Sequence, residues 1–155
     1  MSSSCVVALE RLCKYLASAP PRELHVDFPA PLLLFTDGAV EPAPGQPDLL
    51  VASVGACFLD PISLQYLFFG APVPRNIVDE WCASGAKQVI TEAELLPIYL
   101  ARVVFAKFFA KRPFISFIDN DAAMACMVRG TSSKAACAKI VGAIVRRDLL
   151  DGALA

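Results

Sequence analysis

Three acidic residues stand where the chain changes from apolar to polar, in an arrangement that suits metal-dependent chemistry. Asp37 follows the apolar run Leu32–Thr36, and Asp119 follows the apolar run Phe114–Ile118. Glu94 lies near the start of a stretch with helical periodicity. Converging carboxylates repel one another, so they favour a divalent cation that prefers oxygen ligands, Mg²⁺ or Mn²⁺. In nucleases, two such ions activate water for phosphodiester hydrolysis.

The elements around these residues are predicted to bring them together. Leu32–Thr36 and Phe114–Ile118 are short apolar runs typical of strands, the first buried on both faces. Between them, apolar residues recur at helical spacing over Glu92–Phe109. A helix of about five turns is long enough for a right-handed crossover between parallel strands. Asp37 and Asp119 then emerge side by side at the carboxyl ends of neighbouring strands.

Two more strands are predicted between the first strand and the helix. Leu49–Leu59, with Gly55 as a bulge, and Ser63–Phe69 are joined to the first strand by short connections. This spacing predicts an antiparallel meander. The segment 41–47 contains three prolines and is predicted as a loop.

The two ends of the chain are predicted to be helical. Residues 5–17 form an amphipathic helix, followed by a Pro-rich linker, and a domain boundary falls near residue 30. Residues 31–155 then form one α/β domain. Ala122–Val128 and Ser133–Leu150 are helices, and we expect the second to pack on the sheet. The predicted apolar stripes are Val6, Leu9, Cys13 and Leu16 in the first helix and Ala135, Ala138, Val141, Ile144 and Val145 in the last.

Each acidic residue also has a local structural interpretation. Asp37 stands before a glycine, which is typical of a turn. Glu94 has the capping-box spacing from Thr91. Asp119-Asn120-Asp121 is typical of an N-cap cluster for the helix that follows the last strand, and Asp121 is predicted as the cap. The three acids in this order along the chain indicate a metal site more specifically than any one of them alone.

The motifs around the three acids resemble the ribonuclease H-like domain of retroelement reverse transcriptases. The resemblance extends over about two-thirds of the chain, from Leu32 to Val141. It implies Mg²⁺, a mixed sheet in the order 3-2-1-4-5, and cleavage of RNA in RNA–DNA hybrids, with Asp37, Glu94 and Asp119 as catalytic metal ligands. The motifs are Leu33-Leu34-Phe35-Thr36-Asp37-Gly38-Ala39, Glu92-Ala93-Glu94-Leu95-Leu96-Pro97 and Phe117-Ile118-Asp119-Asn120-Asp121-Ala122-Ala123.

The chain departs from that family after Asp119. The family has a fifth strand and a helix with a fourth acidic residue, whereas the last 36 residues here have almost wholly helical patterns. We therefore expect an α/β domain with a ribonuclease H-like mixed sheet of order 3-2-1-4, flanked by helices and incomplete at its carboxyl end. Asp148 and Asp151 are predicted as surface residues outside the metal pocket.

Composition and charge limit the class of partner. The 155 residues are 56% hydrophobic and 19% charged, which suits one folded domain and excludes generic disorder. The first 80 residues carry four basic and nine acidic side chains, and the rest carry ten and six. The basic half indicates either a polyanion-binding surface or an unevenly charged solvated one. The candidate phosphate contacts are Lys107, Lys111, Arg112, Arg129 and Lys134.

The cysteines and the hydropathy pattern indicate the compartment. Six cysteines without a C-x-x-C pair and one histidine give no zinc pattern, so reduced thiols are expected. No apolar run approaches the roughly 18–20 residues of a bilayer span, and residues 1–19 do not fit a signal peptide. We expect an intracellular protein without membrane association, and the sequence leaves cytoplasm and nucleus open.

Three functions remain open at this point. The first is the ribonuclease H-type activity, in association with the remaining domains of a reverse transcriptase. The second is a non-catalytic nucleic-acid-binding or scaffold module, in which the basic surface is kept and turnover is lost. The third is a DNA-directed nuclease or transposase-like domain, because one fold hosts several chemistries.

Overall fold

The computed structural model describes residues 10, 13, 14, 17, 30–83, 88–110 and 112–151. The strands are β1 (Leu32–Ala43), β2 (Gln46–Asp60), β3 (Gln65–Pro72) and β4 (Phe114–Phe117). The helices are α1 (Arg75–Cys82), α2 (Ile90–Val104), α3 (Ala106–Phe109), α4 (Asp121–Arg129) and α5 (Ala135–Asp151).

The four strands form one open mixed sheet in the order β3-β2-β1-β4. The pairs β1–β2 and β2–β3 are antiparallel, which confirms the predicted meander. β4 lies parallel to β1, with Leu32 opposite Phe114 and Phe35 opposite Phe117. The helix α2 precedes β4 in the chain and packs on β1 and β2. The α/β architecture and the strand order are therefore those predicted for a ribonuclease H-like sheet without the fifth strand.

The sheet is covered by helices on one face. Burial alternates along β1, where Leu32 and Leu34 are fully buried and Phe35 is exposed. Since side chains alternate between the faces of a strand, the prediction that β1 is buried on both faces is wrong. Its apolar run reflects a second apolar face that is exposed among the described residues. The sheet-side core contains Leu32, Leu34, Ala56, Phe58, Ala101, Phe105, Phe109 and Phe114.

Two predictions about the meander are wrong because the strands are longer than their apolar runs. β1 and β2 extend into the Pro-rich segment 41–47 and leave a tight turn, in which Gly45 has a φ of 73°. This turn needs the left-handed conformation that glycine adopts without strain. Gly55 pairs in regular register with Asp37, and the register shifts instead between Pro42 and Ala43.

The helices also differ from the sequence prediction in detail. α1 was not predicted; it is short, and it buries only Val78 and Trp81. α5 packs chiefly against α2 rather than on the sheet, through Cys137, Val141 and Ile144. The predicted stripe was therefore partly wrong, because Ala135 and Val145 are exposed. The face that α5 buries is set by its neighbour, and the sequence does not specify that neighbour.

The amino-terminal prediction falls mostly outside the described residues. Glu10, Cys13, Lys14 and Ala17 are described; all four are helical and exposed. The exposure of Cys13 contradicts its predicted place on the apolar stripe. The Pro-rich linker lies outside the described residues up to 29, so the proposed boundary near residue 30 stays a prediction. In the described part of the chain, no helix is long and apolar enough to cross a bilayer.

Candidate metal centre

The parallel pairing of β1 and β4 places two aspartates together. Phe35 lies opposite Phe117, and Asp37 and Asp119 each follow two residues later on the same face of the sheet. Both side chains are exposed. Asp37, Asp119 and Glu94 each offer a carboxylate oxygen, and these three oxygens all lie within 4.8 Å of one another. The predicted convergence of the three acids is confirmed, and we call them the acid cluster.

Gly38 allows Glu94 to reach the aspartates. β1 passes so close to α2 that a Cβ on Gly38 would collide with the carbonyl group of Ala93 and lie 2.7 Å from the amide nitrogen of Glu94. The Asp-Gly pair is typical of a turn, but β1 continues through Gly38 to Ala43 and no turn forms there. A glycine directly after a candidate ligand was the available signal for close backbone approach.

Glu94 is the buried member of the acid cluster, and its pKa is raised. Its side chain is 5% exposed, and its Oε2 has no hydrogen-bond partner among the described residues. Burial raises the pKa of Glu94 to about 7, and the charges of Asp119 and Asp37 act in the same direction. The backbone N–H of Gly38 donates to the Glu94 carboxylate and opposes this shift in pKa. Glu94 therefore lies in a site that disfavours its ionised form when only protein groups are present.

The donor set fits a divalent cation. All three groups are carboxylates, the ligand type that Mg²⁺ and Mn²⁺ prefer. A buried carboxylate oxygen without a partner is costly, and a bound cation would satisfy it. Asp37 and Asp119 are exposed, so an ion can enter from solvent. Asp37, Glu94 and Asp119 would hold that ion.

The capping roles that the sequence predicts for acids near the site are not found in the structure. α2 begins at Ile90 after Val89, with no side-chain cap, so Thr91 and Glu94 lie inside the helix and form no capping box. The N-cap of α4 is Asn120, whose side chain accepts from the amide of Ala123 at 2.9 Å. The prediction of Asp121 as cap is therefore wrong, and Asp121 lies exposed in the first turn.

Asp148 is outside the acid cluster, as predicted, but the prediction that it is a surface residue is wrong. Its side chain is 18% exposed and forms an ion pair at 2.6 Å with Arg102, which is fully buried. The guanidinium of Arg102 also lies 4.4 Å and 4.5 Å from the ring centroids of Phe109 and Phe114. Asp148 therefore joins α5 to the core. The side chain of Asp151 lies outside the described residues.

The predicted phosphate contacts occupy different environments. Lys107 is exposed beside the ring of Phe108, and Arg129 is exposed in the last turn of α4. Lys134 lies 3.6 Å from the carboxylate of Glu92. Arg112 pairs with Asp60 at 2.9 Å and donates to the carbonyl of Ala30 at 3.0 Å. Lys111 lies outside the described residues.

A shallow cleft adjoins the acid cluster on the same face of the sheet, and no pattern in the sequence indicated it. Its volume is about 510 Å³, and Asp37 forms part of its wall. Asp37, Gly55 and Gly70 are opposite one another on β1, β2 and β3. The missing side chains of the two glycines therefore create the open space. The lining residues are Asp37, Ala39, Ser53, Val54, Gly55, Gly70, Ala71 and Pro72.

Comparison with protein-family models, with curated proteins and with solved structures finds no match to this chain. The acid cluster and the residues around it are therefore the features of this chain that indicate a function.

Proposed function

We propose that this protein hydrolyses phosphodiester bonds in nucleic acid, with Mg²⁺ or Mn²⁺ held by Asp37, Glu94 and Asp119. The observation that carries the proposal is the convergence of three carboxylates, one of them buried with an unpartnered oxygen. When bound, divalent ions polarise the phosphate and generate a nucleophile from water near neutral pH. The exposed Asp37 and Asp119 would face the substrate, and the buried Glu94 would fix the position of the ion.

The proposed substrate is the RNA strand of an RNA–DNA hybrid, as in the family that the motifs resemble. The shallow cleft beside Asp37 offers room next to the proposed reaction centre. Lys107 and Arg129 are exposed cations in the basic half of the chain, and such groups position phosphates without reading sequence. The sugar 2′-hydroxyl is the group by which such a site distinguishes RNA. The other domains of a reverse transcriptase are the proposed protein partners.

The test is cleavage of an end-labelled RNA–DNA hybrid with Mg²⁺, compared with duplex DNA, single-stranded RNA and a chelator control. We expect cleavage of the hybrid, and its loss in the variant Asp119→Asn. The matched control is Asp121→Asn, because Asp121 is exposed two residues further along and is outside the cluster. Cleavage of duplex DNA alone would favour a DNA-directed nuclease or transposase-like domain instead.

A second candidate function is a non-catalytic nucleic-acid-binding or scaffold module. The observation that favours it is the ion pair of Asp148 with Arg102, which engages an acidic residue of the last helix away from the cluster. The site then has three carboxylates, whereas the family that the motifs resemble has four. Binding of the hybrid without cleavage, weakened by salt, would support this module. Neither binding nor cleavage of any of the three substrates would contradict both candidates.

We also propose that the protein acts inside the cell. The described cysteines are all free thiols: Cys13, Cys57, Cys82, Cys126 and Cys137. Free thiols persist in the reducing cytosol and nucleus, whereas secreted domains of this size often pair them.

A further inference from the structure

The face of the sheet opposite α2 carries two apolar rows, which we call the open face. The side chains in each row come from neighbouring positions on all four strands, as the strand registers show. One row consists of Phe117, Phe35, Cys57 and Phe68, and the other of Ile115, Leu33, Leu59 and Tyr66.

Much of the open face is in contact with solvent among the described residues. Phe35 and Phe117 stack with their ring centroids 4.5 Å apart, yet they are 41% and 44% exposed. Phe68 on the outer strand is 75% exposed. An apolar surface that extends across a whole sheet is typical of a surface that another element covers.

We propose that the chain's own amino-terminal segment, residues 5–17, covers the open face as an amphipathic helix. The four described residues of this segment are helical, and all are exposed. At 3.6 residues per turn, Glu10, Cys13, Lys14 and Ala17 fall within one arc of about 100°. These four residues therefore share one solvent-exposed arc.

The opposite side of that helix is apolar by sequence. A continuous helix places six residues in the arc across from Glu10 and Lys14, and none of them is charged. Their side chains match the aliphatic and aromatic character of the open face. The six residues are Cys5, Ala8, Leu9, Leu12, Tyr15 and Leu16.

The connection has the required length and starting point. Residue 30 is fixed at the amino end of β1, where its carbonyl accepts from Arg112 at 3.0 Å, and β1 lies beside the edge strand β4. Residues 18–29 include three prolines, and at about 3.1 Å per residue they reach about 37 Å. A 13-residue helix is about 20 Å long, and three strand spacings are about 14 Å, so it can lie across the sheet. A tether this short gives the segment an effective concentration in the millimolar range, which a second copy does not have in dilute solution.

Native cysteines provide the test. Cys57 lies in the open face, whereas Cys137 is fully buried between helices and reports global opening. In the full chain, Leu12→Asp should raise the rate of Cys57 alkylation by N-ethylmaleimide about tenfold or more and leave Cys137 unchanged. The matched control Ala17→Asp alters the exposed side and should leave both rates unchanged. Peptide mass spectrometry measures each site separately.

A cross-linking measurement tests the contact directly and does not depend on Leu12→Asp folding. With a short bismaleimide, Leu12→Cys should link to Cys57 within one chain, and the native Cys13 on the exposed side should not. Equal Cys57 rates in the wild type and Leu12→Asp, or no link from position 12, would overturn the proposal. Protection of Cys57 that increases with protein concentration would overturn it in favour of a second copy.

Discussion

Glu92 and Glu94 lie two residues apart in the first turns of α2, and both are buried. They differ in the charges that surround them. Glu92 is 2% exposed, lies 3.6 Å from the ammonium of Lys134, and interacts with the thiol of Cys137. Burial, followed by the charge and hydrogen bond of Glu92, raises the pKa of Cys137 to about 12. Glu94 instead faces two carboxylates, and no cation among the described residues forms an ion pair with it. Oε2 of each glutamate lacks a hydrogen-bond partner among the described residues, but only Glu92 has a cation of the protein within ion-pair distance.

Two other buried charged side chains, like Glu92, have an oppositely charged partner. Arg102 pairs with Asp148, and Asp60 pairs with Arg112. The hydrogen bonds of Arg112 hold the pKa of the Asp60 carboxyl far below its usual range. Among the described residues, three of the four buried charged side chains have an oppositely charged partner, and the fourth, Glu94, lies among acids. Unpaired buried charge is expensive, and this contrast supports the proposed cation. This contrast gives five predictions.

The largest effect is expected at Gly38, which permits the approach of Glu94. Gly38→Ala should lower the free energy of unfolding by at least about 3 kcal/mol, because the new Cβ collides with the backbone of α2. Gly70→Ala is the matched control, since a Cβ there meets nothing within 4 Å, and it should change stability by about 0.5 kcal/mol or less. Urea denaturation measures both. Equal effects of the two substitutions would show that the close approach is not required.

The next largest effect is expected at the ion pair between Asp148 and the buried Arg102. Asp148→Asn removes the charge that faces the fully buried Arg102, and it should cost about 2–3 kcal/mol. Asp121→Asn, an exposed aspartate in another helix, should have little effect on thermal stability. An unchanged melting temperature in Asp148→Asn would mean that this ion pair does not support the core.

The pH dependence of stability should come from the acid cluster. The pKa of Glu94 is about 7 in the folded protein against an ordinary value of 4.5, so the folded state binds more protons between these values. Without divalent ions, stability should therefore fall as pH rises from 4.5 to 7, by at most about 3 kcal/mol. Glu94→Gln should flatten this part of the pH profile. A profile that keeps its slope in the variant would assign the effect to another group.

A divalent ion should compensate the negative charge of the acid cluster, as the ion pairs do for the other buried charges. If Mg²⁺ binds with a dissociation constant near 1 mM, then about 10 mM Mg²⁺ should stabilise the wild type by about 1.4 kcal/mol. Asp37→Asn removes repulsion while keeping shape, so it should stabilise the metal-free protein by about 1 kcal/mol and reduce the Mg²⁺ response. Calorimetry with and without Mg²⁺ measures both changes. Loss of stability in metal-free Asp37→Asn would indicate a structural role for Asp37.

The smallest effect is expected at Lys134, because this partner of Glu92 is half-exposed. Lys134→Met should lower the free energy of unfolding by about 0.5–1 kcal/mol, since water still reaches the lysine side and screens the pair. Lys107→Met, which removes an exposed lysine far from Glu92 in sequence, is the control. A loss as large as that of Asp148→Asn would show that Glu92 depends on Lys134 as strongly as Arg102 depends on Asp148.

Much of the fold was predictable because it depends on local sequence signals. The apolar runs before Asp37 and Asp119, with a helical period between them, predicted two parallel neighbours, and the family resemblance implied the order of the sheet. Since β1 and β4 pair in parallel, two aspartates that each follow a paired phenylalanine by two residues lie side by side, although Asp37 is inside β1 and not at its end. Glu94 was predicted from its place at the start of the crossover helix.

Only the tertiary structure decided the surroundings of these residues. Burial of Glu94 depends on the contact of Gly38 with α2, and the pairing of Asp148 depends on the face that α5 presents to α2. Asn120, rather than Asp121, caps α4 because the helix begins at Asp121 and the residue before it occupies the cap position. Sequence periodicity specifies which residues are apolar and where acids follow strands. It does not specify which backbones touch, and backbone contact determines whether a buried charge finds a partner.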